Sequence, residues 1–377
     1  LWWMSIAETM KVWLALLMGL AVASAAEVVK VESGYGPVEG QTITLADGSK
    51  VNSFYGIPFA KPPVGDLRWK KPQEPEQWTE TRPANVLNAA CPQGEAGLIW
   101  ASHPLWKNYD EDCLYLNIFT PVNMTGNKYP VMIWFHGGAY SVSANVQYPG
   151  HFLAKRDVLV VVPNYRLGAL GFMSTGDDAA RGNYGLHDQV FAMKYVSEHI
   201  HNFGGDKDKV TLFGQSAGAA SATLHLLIEE SESLFHQVMP QSGSELAFWA
   251  VLTPDHHPAN YTKEVATKLG CETDNTFDMM ECMRGKPWKE VQQNQGFQCA
   301  EGFYCLGFSP VVDGDLLKET PMKLREEGKF KSCPMLAGLT SDDGSLYTIA
   351  LIPEALEGGF NRSEERRVGK ECRSRWS

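Results

Sequence analysis

The sequence predicts an α/β protein built on a mostly parallel central sheet with flanking helices, and three observations carry that prediction. Three short apolar runs, VMIWF (131–135), VLVVV (158–162) and VTLF (210–213), are each bounded by Gly, Pro, Asn or Asp. None alternates with polar residues, which is the pattern of strands covered on both faces. Between the second and third runs lies a helical pattern, 186–201, whose Leu186, Val190, Met193 and Ile200 fall at i, i+4, i+7 and i+14 on one face. Strand, helix and strand joined by short connections form the crossover unit of an open parallel sheet.

The remaining elements follow in chain order. VVKVESGYGPVEGQTI (28–43) reads as a strand, a Gly-rich turn and a second strand. Pro-rich GIPFAKPPVGDLRWKKPQEP (56–75) can be neither regular helix nor central strand and is expected to wander over the surface. CPMLAGL (333–339) is a candidate for a later strand of the same sheet. No repeat or low-complexity linker divides the chain, so 26–361 reads as one domain. The tail 362–377 breaks the composition, with six Lys/Arg against three Glu and a single aliphatic residue. An exposed charged tail and a non-native extension are the two readings of it.

Composition narrows the function classes. The chain has 377 residues, 44% of them hydrophobic, with 11 Trp and a net charge of −11. That acidity opposes a nucleic-acid backbone as partner, because phosphate binding needs clustered Lys and Arg. From Met10 the chain reads MKVWLALLMGLAVASAAE, a charged start, an apolar core and an A-x-A site. This is a secretory signal over 10–25, cleaved near Ala25 or Ala26, with 1–9 as upstream residues. The competing reading is a membrane anchor, but the apolar core falls short of the roughly 20 residues a spanning helix needs. No later segment is apolar for long enough to span a bilayer. Secretion makes the eight cysteines disulfide candidates and gives meaning to the glycosylation sequons at Asn123, Asn260 and Asn361.

Chemistry enters at Gly214-Gln215-Ser216-Ala217-Gly218, a G-x-S-x-G pentapeptide between the strand VTLF and a helical run. A strand–turn–helix junction of this kind strains the Ser backbone and turns its hydroxyl outward, and small residues at the two Gly positions make room for it. The following helix N-terminus favours a developing oxyanion. WFHGGAY (134–140) supplies further donors: Gly137 and Gly138 follow a buried strand and can expose consecutive N–H groups, with Ala217 N–H as a third.

With these residues in place, the chain resembles the type-B carboxylesterases, the cholinesterase-like branch of the α/β-hydrolase fold. The matching motifs are GIPFAKPPVGDLRW (56–69), EDCLYLNIFTP (111–121), WFHGGAY (134–140), NYRLGALGF (164–172), GNYGLHDQ (182–189), FGGDKDKVTLFGQSAGAAS (203–221) and PVVDGDLL (310–317). The resemblance implies an α/β-hydrolase sheet, Ser216 as nucleophile, and Gly137, Gly138 and Ala217 as the oxyanion hole. It implies disulfides Cys91–Cys113 and Cys271–Cys282. Cys299 and Cys305 are then candidates to pair with each other, with Cys333 and Cys372 unassigned. It places the catalytic acid at Asp343 in GLTSDDGSLY (338–347), where the family more often has Glu; Asp342 is the fallback, and a solvent-facing Asp-Asp-Gly turn is the competing reading.

In this fold the triad runs Ser, acid, His. All ten histidines precede Asp343, namely His103, His136, His151, His187, His199, His201, His225, His236, His256 and His257. His136 belongs to the oxyanion strand and His225 is expected to pack behind the nucleophile. The expectation is therefore a C-terminally truncated enzyme with no useful turnover as written, whose complete form is active. The resemblance implies no metal and no organic cofactor. The substrate it implies is a small, hydrophobic carboxylic ester. Choline esters are disfavoured, because neutral Gln215 stands where cholinesterases carry an acid and neither Trp100 nor Trp106 aligns with their choline-stacking Trp. The alternative is a non-catalytic adhesion or binding domain, since some family members keep the fold without the nucleophile.

Overall fold

The computed structural model describes residues 27–94, 108–295 and 307–343, together with the backbone of 298–300 and 304–306. It divides into two units, Leu1–Leu336 and Ala337–Ser377. The signal segment, the loop holding Trp100, Trp106 and His103, the sequon at Asn361 and the charged tail lie outside the described residues.

The first unit is organised by one sheet. Its strands are β1 (Glu27–Glu32), β2 (Pro37–Thr44), β3 (Lys50–Pro58), β4 (Arg82–Pro83), β5 (Tyr115–Pro121), β6 (Tyr129–Phe135), β7 (Leu159–Pro163), β8 (Gly205–Gln215) and β9 (Gln237–Gln241). They run in the order β1-β2-β3-β5-β7-β6-β8-β9, with β4 alongside β2. The 28–43 hairpin is present, paired antiparallel from Glu27↔Thr42 to Glu32↔Pro37. Antiparallel pairing continues through β3, β5 and β7. From β7 onward the sheet is parallel: β6 pairs with β7 and β8, and β8 with β9.

All three apolar runs are strands, and their double burial has a simple form. Val131, Ile133 and Phe135 of β6 and Leu159 and Val161 of β7 enter the larger core. The residues between them, Met132, Trp134, Val160 and Val162, enter a smaller core on the opposite face with Val51, Phe119 and Phe213. Alternation survives, but both faces are apolar because both are covered.

The described α-helices are α1 (His151–Ala154), α2 (Gly168–Phe172), α3 (Tyr184–His199), α4 (Ala217–Leu224), α5 (Pro258–Lys268), α6 (Thr276–Arg284), α7 (Trp288–Asn294) and α8 (Pro321–Glu326). The α3 stripe behaves as its spacing predicts, with Leu186, Val190 and Met193 in the larger core beside Ile200 of the 3₁₀ turn that follows. α1 seats Ala154 in the smaller core.

Two expectations need adjustment. Residues 56–58 belong to β3, which extends past a register shift between Phe54 and Ile57. Gly56 N–H is taken there by Asn117 Oδ1 at 2.9 Å, and Pro58 sits at the strand end, where a missing N–H costs least. Within 333–336, the run meets the sheet at Met335 as an isolated bridge and not as a full strand. Met335 bridges Val238 in parallel, through Val238 N–H to Pro334 O and Leu336 N–H to Val238 O, both 3.1 Å.

Both disulfides implied by the resemblance are formed, Cys91–Cys113 and Cys271–Cys282. Cys299 stands opposite Cys305 in the backbone register of a short antiparallel ladder. Cys333 is half-buried and has no disulfide partner among the described residues. No helix of the described residues is long and apolar enough to cross a membrane.

Candidate active site

Strand β8 ends at Gln215 and helix α4 begins at Ala217, so Ser216 occupies the single residue between them. Its backbone sits at φ 57°, ψ −121°, a conformation that side-chain-bearing residues rarely adopt. Two bonds hold it there: Ser216 N–H donates to Gln241 O, and Ser216 O accepts from Ala220 N–H, each at 2.9 Å. As N-cap of α4, Ser216 makes no side-chain capping bond, so its hydroxyl is not spent on the helix.

The small residues around it are demanded by contact. A Cβ on Gly218 would lie 1.9 Å from Phe135 O, and one on Gly214 would lie 2.5 Å from the same oxygen. The end of β6 is thus pressed against the turn. Gly137, two residues beyond β6, is pressed against Ser216 itself: a Cβ there would stand 2.5 Å from Gln215 O and 3.2 Å from Ser216 Cβ. The structure therefore brings together Ser216, Gly137, Gly138 and Ala217.

It also adds a residue. Gly138 has φ 109°, Ala139 φ 53° and Tyr140 φ 55°. Gly138 O accepts from Ser141 N–H at 2.9 Å and Val142 N–H at 3.0 Å, closing a tight turn. Among the described residues, no acceptor is bonded to the N–H groups of Gly137, Gly138, Ala139 or Ala217. Successive N–H groups left open by such backbone geometry form a concavity suited to an anion. The sequence signal for Ala139 was its place next to the Gly pair, which the Gly-Gly motif overshadowed. A cleft of about 480 Å³ begins next to this loop, at Ser141 and Val142, and is also lined by Trp288, Gln295 and Phe308. Ser216 is not in its lining.

No described histidine is hydrogen-bonded to Ser216. His225 is fully buried, with Nε2 on Gln189 Oε1 (3.0 Å) and Nδ1 on Ser231 Oγ (2.9 Å), as expected for a packed residue. His136 Nδ1 lies 3.0 Å from Gly137 O. His151 Nε2 pairs with Tyr55 OH, and His236 Nδ1 accepts from Val210 N–H. Burial pushes His136 down to about 4 and His225 down to about 3, so both are neutral near pH 7. Asp343 belongs to the second unit, where it is exposed and its Oδ1 accepts from Thr340 Oγ1 at 3.0 Å. Among the described residues no cluster of His, Cys, Asp or Glu could hold a metal ion.

Two buried ion pairs brace the surrounding scaffold. Arg166 Nε and Nη2 grip both oxygens of Asp188 at 2.8 and 2.7 Å, and Arg68 grips Glu111 at 2.6 Å on both arms. Such forked pairs fix geometry more surely than they stabilise.

Comparison with known proteins agrees with this architecture. The model of the carboxylesterase family matches residues 25–372. Human neuroligin-2 is 37% identical over 350 residues, covering 83% of this chain and 41% of that protein. Mouse cholinesterase is 38% identical over 340 residues, covering 88% of this chain and 55% of that protein. Mouse neuroligin-3 is 35% identical over 373 residues, 88% of this chain and 44% of that protein. The chain thus spans about half the length of the curated relatives it matches. On the sheet, the elbow and this match, the chain belongs to the carboxylesterase family.

Proposed function

We propose that this chain carries the nucleophile and the oxyanion donors of a secreted serine esterase acting on carboxylic esters. Ser216 Oγ attacks the ester carbonyl while an imidazole takes its proton. The carbonyl oxygen, now negative, is held by the N–H groups of Gly137, Gly138, Ala139 and Ala217. The alcohol leaves with the proton from the imidazolium, and water then releases the acid from the acyl-serine. Asp343 is the proposed partner of that imidazole, which the described histidines do not supply to Ser216. The observation that carries the reading is the strained Ser216, its hydroxyl free of the helix cap, beside consecutive uncommitted N–H groups.

Neutral Gln215 leaves no carboxylate beside the nucleophile to attract a cationic alcohol, which favours an uncharged, hydrophobic ester. Two disulfides and the exposed sequon residues Asn123 and Asn260 support an extracellular, glycosylated protein. The test is turnover of a short-chain phenyl ester by the complete protein, with fluorophosphonate labelling at Ser216. Loss of both in Ser216→Ala supports the reading; turnover that survives that substitution overturns it.

The neuroligins among the relatives favour a second reading, a binding domain that works through its surface. Complete protein that neither turns over esters nor takes the label at Ser216 is the outcome that selects it.

A further inference from the structure

The open N–H groups at residues 137–139 raise the question of what keeps them aimed. In a trans peptide the C=O and the next residue's N–H point in opposite directions. A bond that fixes a carbonyl on one side therefore fixes the following N–H on the other. Three consecutive carbonyls are held in this way. His136 O accepts from Tyr165 OH at 2.6 Å. Gly137 O is bonded to His136 Nδ1 at 3.0 Å, and since a carbonyl can only accept, that nitrogen carries the proton. Gly138 O accepts from Ser141 and Val142 N–H. The N–H groups opposite these carbonyls belong to Gly137, Gly138 and Ala139.

We propose that Tyr165 and His136 are positioning residues for the oxyanion donors, Tyr165 aiming Gly137 N–H and His136 aiming Gly138 N–H toward Ser216. The two rings work as one piece, stacked with centroids 4.3 Å apart and planes 18° from parallel. Both are fully buried. Tyr165 is itself held from either side. Asn164 N–H donates to Tyr115 O at 2.9 Å, and Arg166 N–H and its guanidinium both bond the Asp188 carboxylate. His136 Nε2 is buried and has no hydrogen-bond partner among the described residues, where the ring's polar tether is the one to Gly137. A buried polar atom left unsatisfied is a cost that the Nδ1 tautomer keeps to a lone pair instead of a proton. This inference rests on the esterase reading for its kinetic consequence, but not for its geometry.

The test uses the complete protein and the variants Tyr165→Phe, His136→Phe and His136→Asn. Turnover per fluorophosphonate-titrated site, KM, thermal midpoint and affinity for a boronic acid that mimics the tetrahedral intermediate are measured together. Tyr165→Phe and His136→Phe are expected to lower kcat about tenfold or more, weaken the boronic acid in parallel and leave KM within about twofold. His136→Asn, which keeps a side-chain N–H near Gly137 O, recovers part of the loss. Unchanged kcat per titrated site in both Phe variants overturns the proposal. A merely structural role would lower the thermal midpoint and the titratable fraction without moving that ratio.

A wild-type protein with neither turnover nor label would remove the esterase reading alone. The positioning is then read from ¹⁵N spectra of protein labelled at Gly and His. An Nδ1–H tautomer at His136, with the Gly137 amide displaced by Tyr165→Phe and the Gly138 amide by His136→Phe, sustains it. An Nε2–H tautomer, or amides unmoved by both substitutions, overturns it.

Discussion

In β1, β2, β3 and β5 each neighbour in the main ladder runs antiparallel, so chain reversals fall at alternate ends of the strands. From β7 through β6 and β8 to β9 each successive pair runs parallel, so these strands deliver their ends to one edge. The ladder pairs Phe135 with Gly214 and Gln215 with Gln241, which puts the loop after β6, Ser216 and the segment after β9 side by side. The antiparallel half therefore supplies a frame, and the parallel half supplies a place where backbone from three distant segments meets. The contrast shows in what each half tolerates. The turn between β2 and β3 holds Gly48 at φ 82° with nothing within 4 Å of an added Cβ, whereas Gly218 has no space at all.

The largest effect expected is on chemistry. Ser216→Ala should lower ester turnover by the complete protein on the order of 10⁴-fold or more, with the thermal midpoint no lower than wild type. A Ser216→Gly companion sharpens the contrast, because relieving the φ of 57° should raise stability by about 1 kcal/mol while activity vanishes. Equal loss of stability and activity would show that the strain is not concentrated at the nucleophile.

Next come the glycines. Gly218→Ala drives a methyl into Phe135 O, a backbone atom in a central strand, and should cost more than about 3 kcal/mol or leave the protein insoluble. Gly48→Ala, with open space but a left-handed φ, should cost about 1 kcal/mol in urea unfolding. Similar costs at the two sites would break the comparison between the halves.

The Cys91–Cys113 bridge spans 22 residues and should contribute about 3 kcal/mol through the unfolded chain, read as the shift in urea midpoint on replacing both by Ser. Acid dependence gives a graded effect that belongs to the parallel half. His136 and His225 are held at about 4 and about 3, below the ordinary 6.5. As pH falls, the unfolded chain takes up these protons first. Stability from these groups is therefore complete above about 6.5 and declines toward the folded values, at about 1.4 kcal/mol per pH unit for each histidine. Urea midpoints that stay flat from neutral pH down to about 5 would contradict their neutral burial.

Much of this was legible locally. A β-branched run, a helical stripe and a Gly-flanked Ser are patterns complete within ten to twenty residues, and each element they predict is present. The Cys91–Cys113 and Cys271–Cys282 pairings and the Gly137–Gly138 donors came with the family resemblance or its motifs. What the chain could not show along its length is that β6 lies between β7 and β8, because sheet order depends on pairing between distant segments. Nor could it show that the Ala139 N–H is left open beside those of Gly137 and Gly138, since its positive φ goes with the turn closing on Gly138 O. The bond from Tyr165 to the loop after β6 was equally hidden: that hydroxyl reaches a carbonyl 29 residues earlier in the chain. Short-range pattern is set by each residue's own conformational and solvation preferences, whereas the aim of a backbone N–H is set by whatever the fold brings against the opposite carbonyl.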